Sequence, residues 1–377
     1  MKWIIKFLLI VWLFSFFEKN KYPEIVRLHN PSFSDKIEKV IPHYINFSDT
    51  IHSDTLFEYV STDNFPVMYS RKIPTAVCID NECRPVNIEL FWNNTGRYLG
   101  YKLPEGEFLS KTKHTPFTAK EYDRLDTLLK DPLSALAHYS INELVKEKDT
   151  AKTGVDAVSS ATIAAVMDYI VPGAVYTSYT LWHIVYGETK REIELRTSEK
   201  LTSKEVVKFL NTDVLEDKVW ALNHIPQNMP ISHLLLEELL QLVSQNDIYL
   251  AERALHVIRP GELTKEIQLQ LIQNFQNSDD LQQKLITEKL KQAPVLEKET
   301  TELLTNELNK FNTQLIKEVL ELLQYQKIEN NNVNNNVALL LENNNRYIAN
   351  LAFKFLESRQ TLDKKTTKKI DKYQKRN

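Results

Sequence analysis

Residues 155–187 hold the run most suggestive of chemistry: Asp156-Ala157-Val158-Ser159-Ser160-Ala161-Thr162, apolar residues to Val171, Pro172-Gly173, and a second apolar segment ending at Gly187. Ser159 or Ser160 is a natural helix N-cap, because a hydroxyl there accepts a hydrogen bond from a backbone N–H of the first turn. Thr162 then falls in that turn, where free N–H groups and the helix dipole favour an anion. A threonine hydroxyl so placed is a candidate to bear a phosphate ester. An ordinary capped helix accounts for the same residues without any chemistry.

The two cysteines, Cys78 and Cys83, flank the tight-loop sequence Ile79-Asp80-Asn81-Glu82. In an exported chain the default for such a pair is a disulfide, here closing a small ring. A redox-active pair is the weaker alternative, since the spacing is not the two-residue gap of thiol oxidoreductases. A metal site is weaker still, for no second Cys/His pair lies nearby. Downstream of Thr162, Val175, Tyr179, Trp182 and Tyr186 share one helical stripe. Such a stripe can pack on a flat ring, although an aromatic stripe is more often core. His114 and His183 stand without visible partners. No nucleophile elbow, zinc-binding His-Glu-x-x-His helix, phosphate-binding glycine loop or carboxylate pair occurs.

These residues need elements to position them. Pro85 to Phe91 alternates as a strand, Asn93-Asn94-Thr95-Gly96 is a turn, and Arg97 to Leu103 continues as a second strand, which predicts a β-hairpin. Thr118 and Glu121 form a capping box for a helix running through Leu128. Residues 65–190 are therefore expected to be a mixed α+β domain, and 21–64, which lack a strong pattern, a linker of uncertain structure. Residues 1–20 have the layout of a signal sequence or membrane anchor, with Lys2 before an apolar run from Ile4 to Phe17 broken by Lys6 and Ser15. That run is shorter than the ~20 residues that span a bilayer comfortably. Export to an extracytoplasmic, periplasmic location follows, with the N-terminus as a possible tie to the inner membrane. The net charge of −3 gives no excess that would steer the chain to nucleic acid.

Six of the seven glycines lie between Gly96 and Gly187, and the remainder of the chain is rich in Leu, Glu, Gln and Lys. Residues 200–358 should therefore be all α. Pro226, Pro260 and Pro294 recur at a spacing of 34, each closing a segment of similar character. Fixed-period similarity is the mark of stacked repeats, and a proline ends one helix of each pair. Partner helices carry the stripes Leu235, Leu239, Leu240, Val243 and Ile267, Leu271, Ile272, Phe275. The stripe returns at Leu315, Val319, Leu320, Leu323 and at Ile348, Leu351, Ala352, Phe355, Leu356. Each helix has one face to bury, so neighbours must stack into a solenoid. The pattern resembles HEAT-type repeats. The asparagine clusters from Asn330 to Asn345 are expected as polar turns or a loose connection, and 359–377 as a basic tail, frayed in solvent or, as the weaker alternative, touching an anionic surface.

Asp156 to Thr162 resembles the flavinylation motif of FMN-binding domains such as that in the C subunit of sodium-pumping NADH:quinone reductase. In that family a flavin transferase joins the FMN phosphate to the threonine of Asp-x-x-Ser/Thr-Gly-Ala/Ser-Thr. The resemblance implies covalent FMN on Thr162, with Asp156 matching the motif aspartate and Ser159 and Ala161 the turn. Ser160 departs from the family's glycine, and Ala164 stands where a second Ser/Thr often follows. The whole then reads as an α+β FMN-binding-like domain followed by an all-α, HEAT-like helical-repeat solenoid. The function expected is that of an exported electron-transfer flavoprotein, an electron carrier rather than a hydrolase or transferase, whose solenoid docks a redox partner. Competing with it are a non-enzymatic protein-binding scaffold with a degenerate FMN-binding-like domain and, more weakly, a thiol redox protein.

Overall fold

The structure is a computed structural model that describes residues 22–33, 35–49, 55–75, 84–111, 114–146, 166–167 and 169–376. The chain divides into two compact units, Met1–Lys200 and Leu201–Asn377. The first holds an antiparallel six-stranded sheet with helices and the second is helical. The N-terminal segment, the Cys78/Cys83 pair and the run Asp156–Thr162 lie outside the described residues.

In the first unit the strands are β1 (Ile25–Leu28), β2 (Ile37–Tyr44), β3 (Thr55–Ser61), β4 (Pro66–Thr75), β5 (Val86–Asn93) and β6 (Tyr98–Leu103). They lie in the order β1-β6-β5-β4-β3-β2, so a five-strand meander is flanked by the first strand on its far edge. The expected hairpin is β5–β6, with Gly96 at φ 75° in its turn and the Asn93 side chain accepting from the backbone of Thr95 and Arg97. The stretch 21–64 is not a linker: it supplies β1, β2 and β3. Its pattern is weak because β1 is four residues long and β2 (IEKVIPHY) is an edge strand exposed along most of its length. Edge strands bury little on either face, and Lys39 and Pro42 discourage further pairing.

One sheet face forms the core. Leu56, Arg71, Leu90 and Tyr101 stand in one cross-strand row, and Glu58, Tyr69 and Trp92 in the next. Against this face pack α1 (Ala119–Lys130), α3 (Val175–Tyr186) and α4 (Glu188–Glu199), with α2 (Ile141–Lys146) beside α3. The capping box at Thr118 and Glu121 opens α1 as expected. Polar tips fasten the helices to the sheet: Trp92 Nε1 donates to Val185 O at 3.0 Å and Tyr101 Oη to Tyr122 O at 3.0 Å.

Gly100, at φ 150°, faces Leu28 of β1, and a Cβ there would sit 1.9 Å from the Arg27 carbonyl oxygen. Ala at this position must push β1 off the sheet. Gly100→Ala is expected to cost about 2–3 kcal/mol in urea unfolding. Gly261→Ala, where a Cβ meets nothing within 4 Å, should be nearly neutral.

The second unit is a two-layer stack of helices. One layer runs α5 (Ser203–Leu210), α7 (His233–Ser244), α9 (Lys265–Gln276), α11 (Lys298–Asn306), α13 (Asn331–Val337) and α15 (Lys364–Gln374). The other runs α6 (Leu215–Asn223), α8 (Ile248–Val257), α10 (Asp280–Leu290), α12 (Thr313–Tyr325) and α14 (Arg346–Glu357). Each helix packs on its layer neighbour and on its partner across the layers. The stripes of α7, α9 and α12 are buried as expected, and so is that of α14 apart from half-buried Leu351. Pro226, Pro260 and Pro294 each follow the end of a helix in the second layer.

A polar device repeats with the helices. Arg259 Nη2 donates to Met229 O at 2.6 Å, Gln326 Nε2 to Ala293 O at 2.9 Å, and Arg359 Nη1 to Ile328 O at 2.9 Å. Each side chain reaches back to the carbonyls that the preceding turn leaves without helical partners. Residues 343–345 form the expected polar turn, whereas the earlier asparagines depart from expectation. Asn331–Val337 is a helix, with Val333 and Val337 buried and the amides bonded to both neighbours. Asn332 donates to Glu302 at 2.9 Å and Asn335 to Asp363 at 2.8 Å. Tertiary hydrogen bonds here outweigh the poor helix propensity of asparagine. The expected frayed tail is α15, which closes the stack.

Candidate functional site

Val166, Met167 and Tyr169 are helical and come immediately after the segment that contains Thr162. Val166, Tyr169 and Ile170 form one wall of an open cleft of about 700 Å³ in the first unit. A second wall is supplied by the C-terminal half of α1, through Arg124 and Thr127, its cap Asp131, and the turn that follows, through Leu133 and Ser134. Two large apolar side chains stand at this cleft in water, Leu133 at 87% and Tyr169 at 74% exposure. Single exposed apolar residues are ordinary; two lining one cleft mark a surface suited to an apolar ligand.

The local sequence explains the geometry. Asp131 ends α1 and its Oδ1 accepts from Leu133 N at 2.9 Å, so Asp131-Pro132 turns the chain and throws Leu133 outward. Ser134 then caps a 3₁₀ turn, Ala135–His138. Arg124 Nε donates to Tyr169 O at 3.4 Å and ties the two walls together. The sequence signal for this cleft is slight: an Asp-Pro-Leu-Ser turn with one apolar residue that no periodicity requires.

The aromatic stripe of α3 serves the same corner from beneath. Trp182 Nε1 donates to Asp131 O at 2.9 Å and Tyr186 Oη to Leu129 O at 2.8 Å, which satisfies the last carbonyls of α1. Burial, with the nearby Asp131 carboxylate, raises the Tyr186 phenol above its ordinary range, so it donates as a neutral hydroxyl. Tyr179 lies 3.9 Å from the His183 ring, and His183 Nδ1 is 2.9 Å from Tyr179 O. The stripe is thus core and helix cap. His114 adopts φ 56° and is not among the residues that line the cleft.

A scan against protein-family models matches none, and a search of the curated proteins finds no match.

Two further polar clusters were not legible in the sequence. Glu58, fully buried, accepts from His43 Nε2 at 2.7 Å, from Tyr69 Oη at 3.2 Å and from Lys200 Nζ. Arg196 Nη1 lies 3.0 Å from His43 Nδ1. A guanidinium only donates, so Nδ1 is the acceptor and the ring proton sits on Nε2, pointing at Glu58. Beside it, buried Arg71 grips Asp49 with both terminal nitrogens at 3.1 and 2.9 Å, donates to Thr189 at 2.7 Å and covers the Phe47 ring at 3.7 Å. Both clusters bind the sheet to α4 or to the chain beside it. Near α1, Asp126 gathers Tyr98 Oη at 3.1 Å, His29 Nε2 at 3.0 Å and Lys130 Nζ at 2.9 Å in the same manner. Among the described residues no group of three or more His, Cys, Asp or Glu side chains is placed to hold a metal ion.

Proposed function

We propose that the first unit is an FMN-binding-like domain carrying FMN covalently on Thr162, and that the chain is an exported electron carrier whose HEAT-like helical unit docks a redox partner. The observation that carries this reading is the Asp156–Thr162 run leading within four residues into Val166, the first described residue of the cleft wall. Four residues span at most about 14 Å, the order of reach of a ribityl phosphate. A cleft of this size, with apolar Leu133 and Tyr169 and polar Arg124, Asp131 and Ser134, fits a flat ring with polar edges. The flavin would supply the redox chemistry and the protein its position and surroundings. Maturation requires a flavin transferase, and the N-terminal apolar run is the proposed export signal or membrane anchor. No described helix is long and apolar enough to cross a membrane.

A second reading, a protein-binding scaffold with a degenerate domain of this kind, is favoured by Ser160, whose side chain would crowd a backbone approach to phosphate. Mass spectrometry on protein co-produced with a flavin transferase separates the two. An FMN adduct on wild type that is lost completely in Thr162→Val is the expected result. A bare Thr162 without in-gel flavin fluorescence would overturn the carrier reading and leave the helical unit as the functional part.

A further inference from the structure

We propose that α15, the basic helix closing the stack, lies against the headgroups of an anionic phospholipid surface. Over residues 364–376 there are seven basic residues, Lys364, Lys365, Lys368, Lys369, Lys372, Lys375 and Arg376, against the single acid Asp371. The helix is docked by its other face. Asp363 caps it, Thr366 is buried and bonded to Asn335 at 3.0 Å, and the Tyr373 ring packs 5.3 Å from Phe353. Lys372 pairs with Glu342 at 3.1 Å. Lys364, Lys365, Lys368 and Lys375 are exposed and turn their charge to solvent from a fixed platform.

The chemistry of this face selects the partner. Six of its seven cations are lysines, compact hydrated charges without the planar fork that grips a particular carboxylate or phosphate. That suits a diffuse array of negative headgroups better than a specific acidic epitope. Between the lysines the exposed positions are Thr367, Asp371 and Gln374, so the face has no aromatic to stack on nucleobases and no apolar wedge to enter a bilayer. Binding by such a face is adsorption, sensitive to salt. Each lysine near an anionic surface strengthens partition roughly fivefold, so four together give roughly several hundredfold.

The test uses the full chain with phosphatidylglycerol/phosphatidylcholine vesicles or phosphatidylcholine vesicles, with acetylation of each lysine read by mass spectrometry. Lys364, Lys365, Lys368 and Lys375 should be protected several-fold by the anionic vesicles alone, and high salt should remove the protection. Lys265 and Lys284 in the same unit should keep their reactivity. Replacing the four protected lysines with glutamine should lower the anionic-to-zwitterionic partition ratio roughly several hundredfold. Equal reactivity with both vesicles, protection spread over all lysines, or protection by an acidic polypeptide but not by lipid would each overturn the proposal. The readout does not depend on flavin and stands or falls apart from modification of Thr162.

Discussion

Glu58→Ala is expected to destabilise the first unit by about 3–5 kcal/mol, because it leaves Lys200 and His43 without the buried carboxylate that both address. The pair of contacts pins edge strand β2 and the end of α4 to the centre of the sheet, and Tyr69 joins them through its hydroxyl at 3.2 Å. Burial most strongly opposes ionisation of Glu58, yet hydrogen bonds from Lys200 and His43 and the charge of Lys200 together hold its pKa below the ordinary carboxylate value. A depressed folded-state pKa gives stabilisation that is complete above the unfolded pKa of about 4.3 and is lost as pH falls through the lower folded value. Urea unfolding of wild type should therefore weaken on acidification below about pH 4, and Glu58→Ala should lack that component. Glu58→Gln, which keeps the volume and loses the charge, should fall between them. A loss below about 1 kcal/mol for Glu58→Ala would show that water replaces the carboxylate and that the cluster is no staple.

What was legible in the sequence followed from burial. The β5–β6 hairpin alternates because its inner residues Ile88, Leu90 and Trp92 all face one core, and the helical stripes recur because each helix hides one side. The prolines at a spacing of 34 marked the ends of helices for a local steric reason that tertiary context does not change. Three features escaped because their causes are not local. Strand β2 has its pattern blurred by exposure at the sheet edge. Helix α13 exists through hydrogen bonds from Asn330, Asn332, Asn335 and Asn336 to neighbours about thirty positions away in the chain. The Glu58 cluster joins residues from β2, β3, β4 and the end of α4, and no spacing in the sequence announces it. The cleft is intermediate: the motif pointed to its helix, while the second wall arises from the way α1 ends.

Lys289 offers the second large effect, with the same sign in pH but in the alkaline range and from burial of a charge instead of its pairing. Its side chain is buried in the helical unit, its ammonium donating to Ile258 O and to Gln292 Oε1, both at 2.8 Å, and desolvation lowers its pKa from 10.5 to about 8. Both of these partners are neutral oxygens, so they solvate the charge with dipoles and no counter-charge. The unfolded chain keeps the proton up to about pH 10.4 and the folded chain releases it near 8. Between those values the unfolded state binds more protons, so this residue makes stability rise with pH, by roughly 3 kcal/mol over the interval. Lys289→Met removes that slope. It also leaves the Ile258 carbonyl without its donor, a loss of about 1–2 kcal/mol. At pH 7 the relief of burying a charge should offset or exceed that loss, whereas at pH 10 the variant should be the less stable. Urea denaturation of both proteins from pH 7 to 10 reads this crossing directly. The difference between them isolates Lys289 from the other groups that titrate in the same range. Parallel curves would mean that the ammonium is hydrated in the folded protein, and the linkage argument would fail.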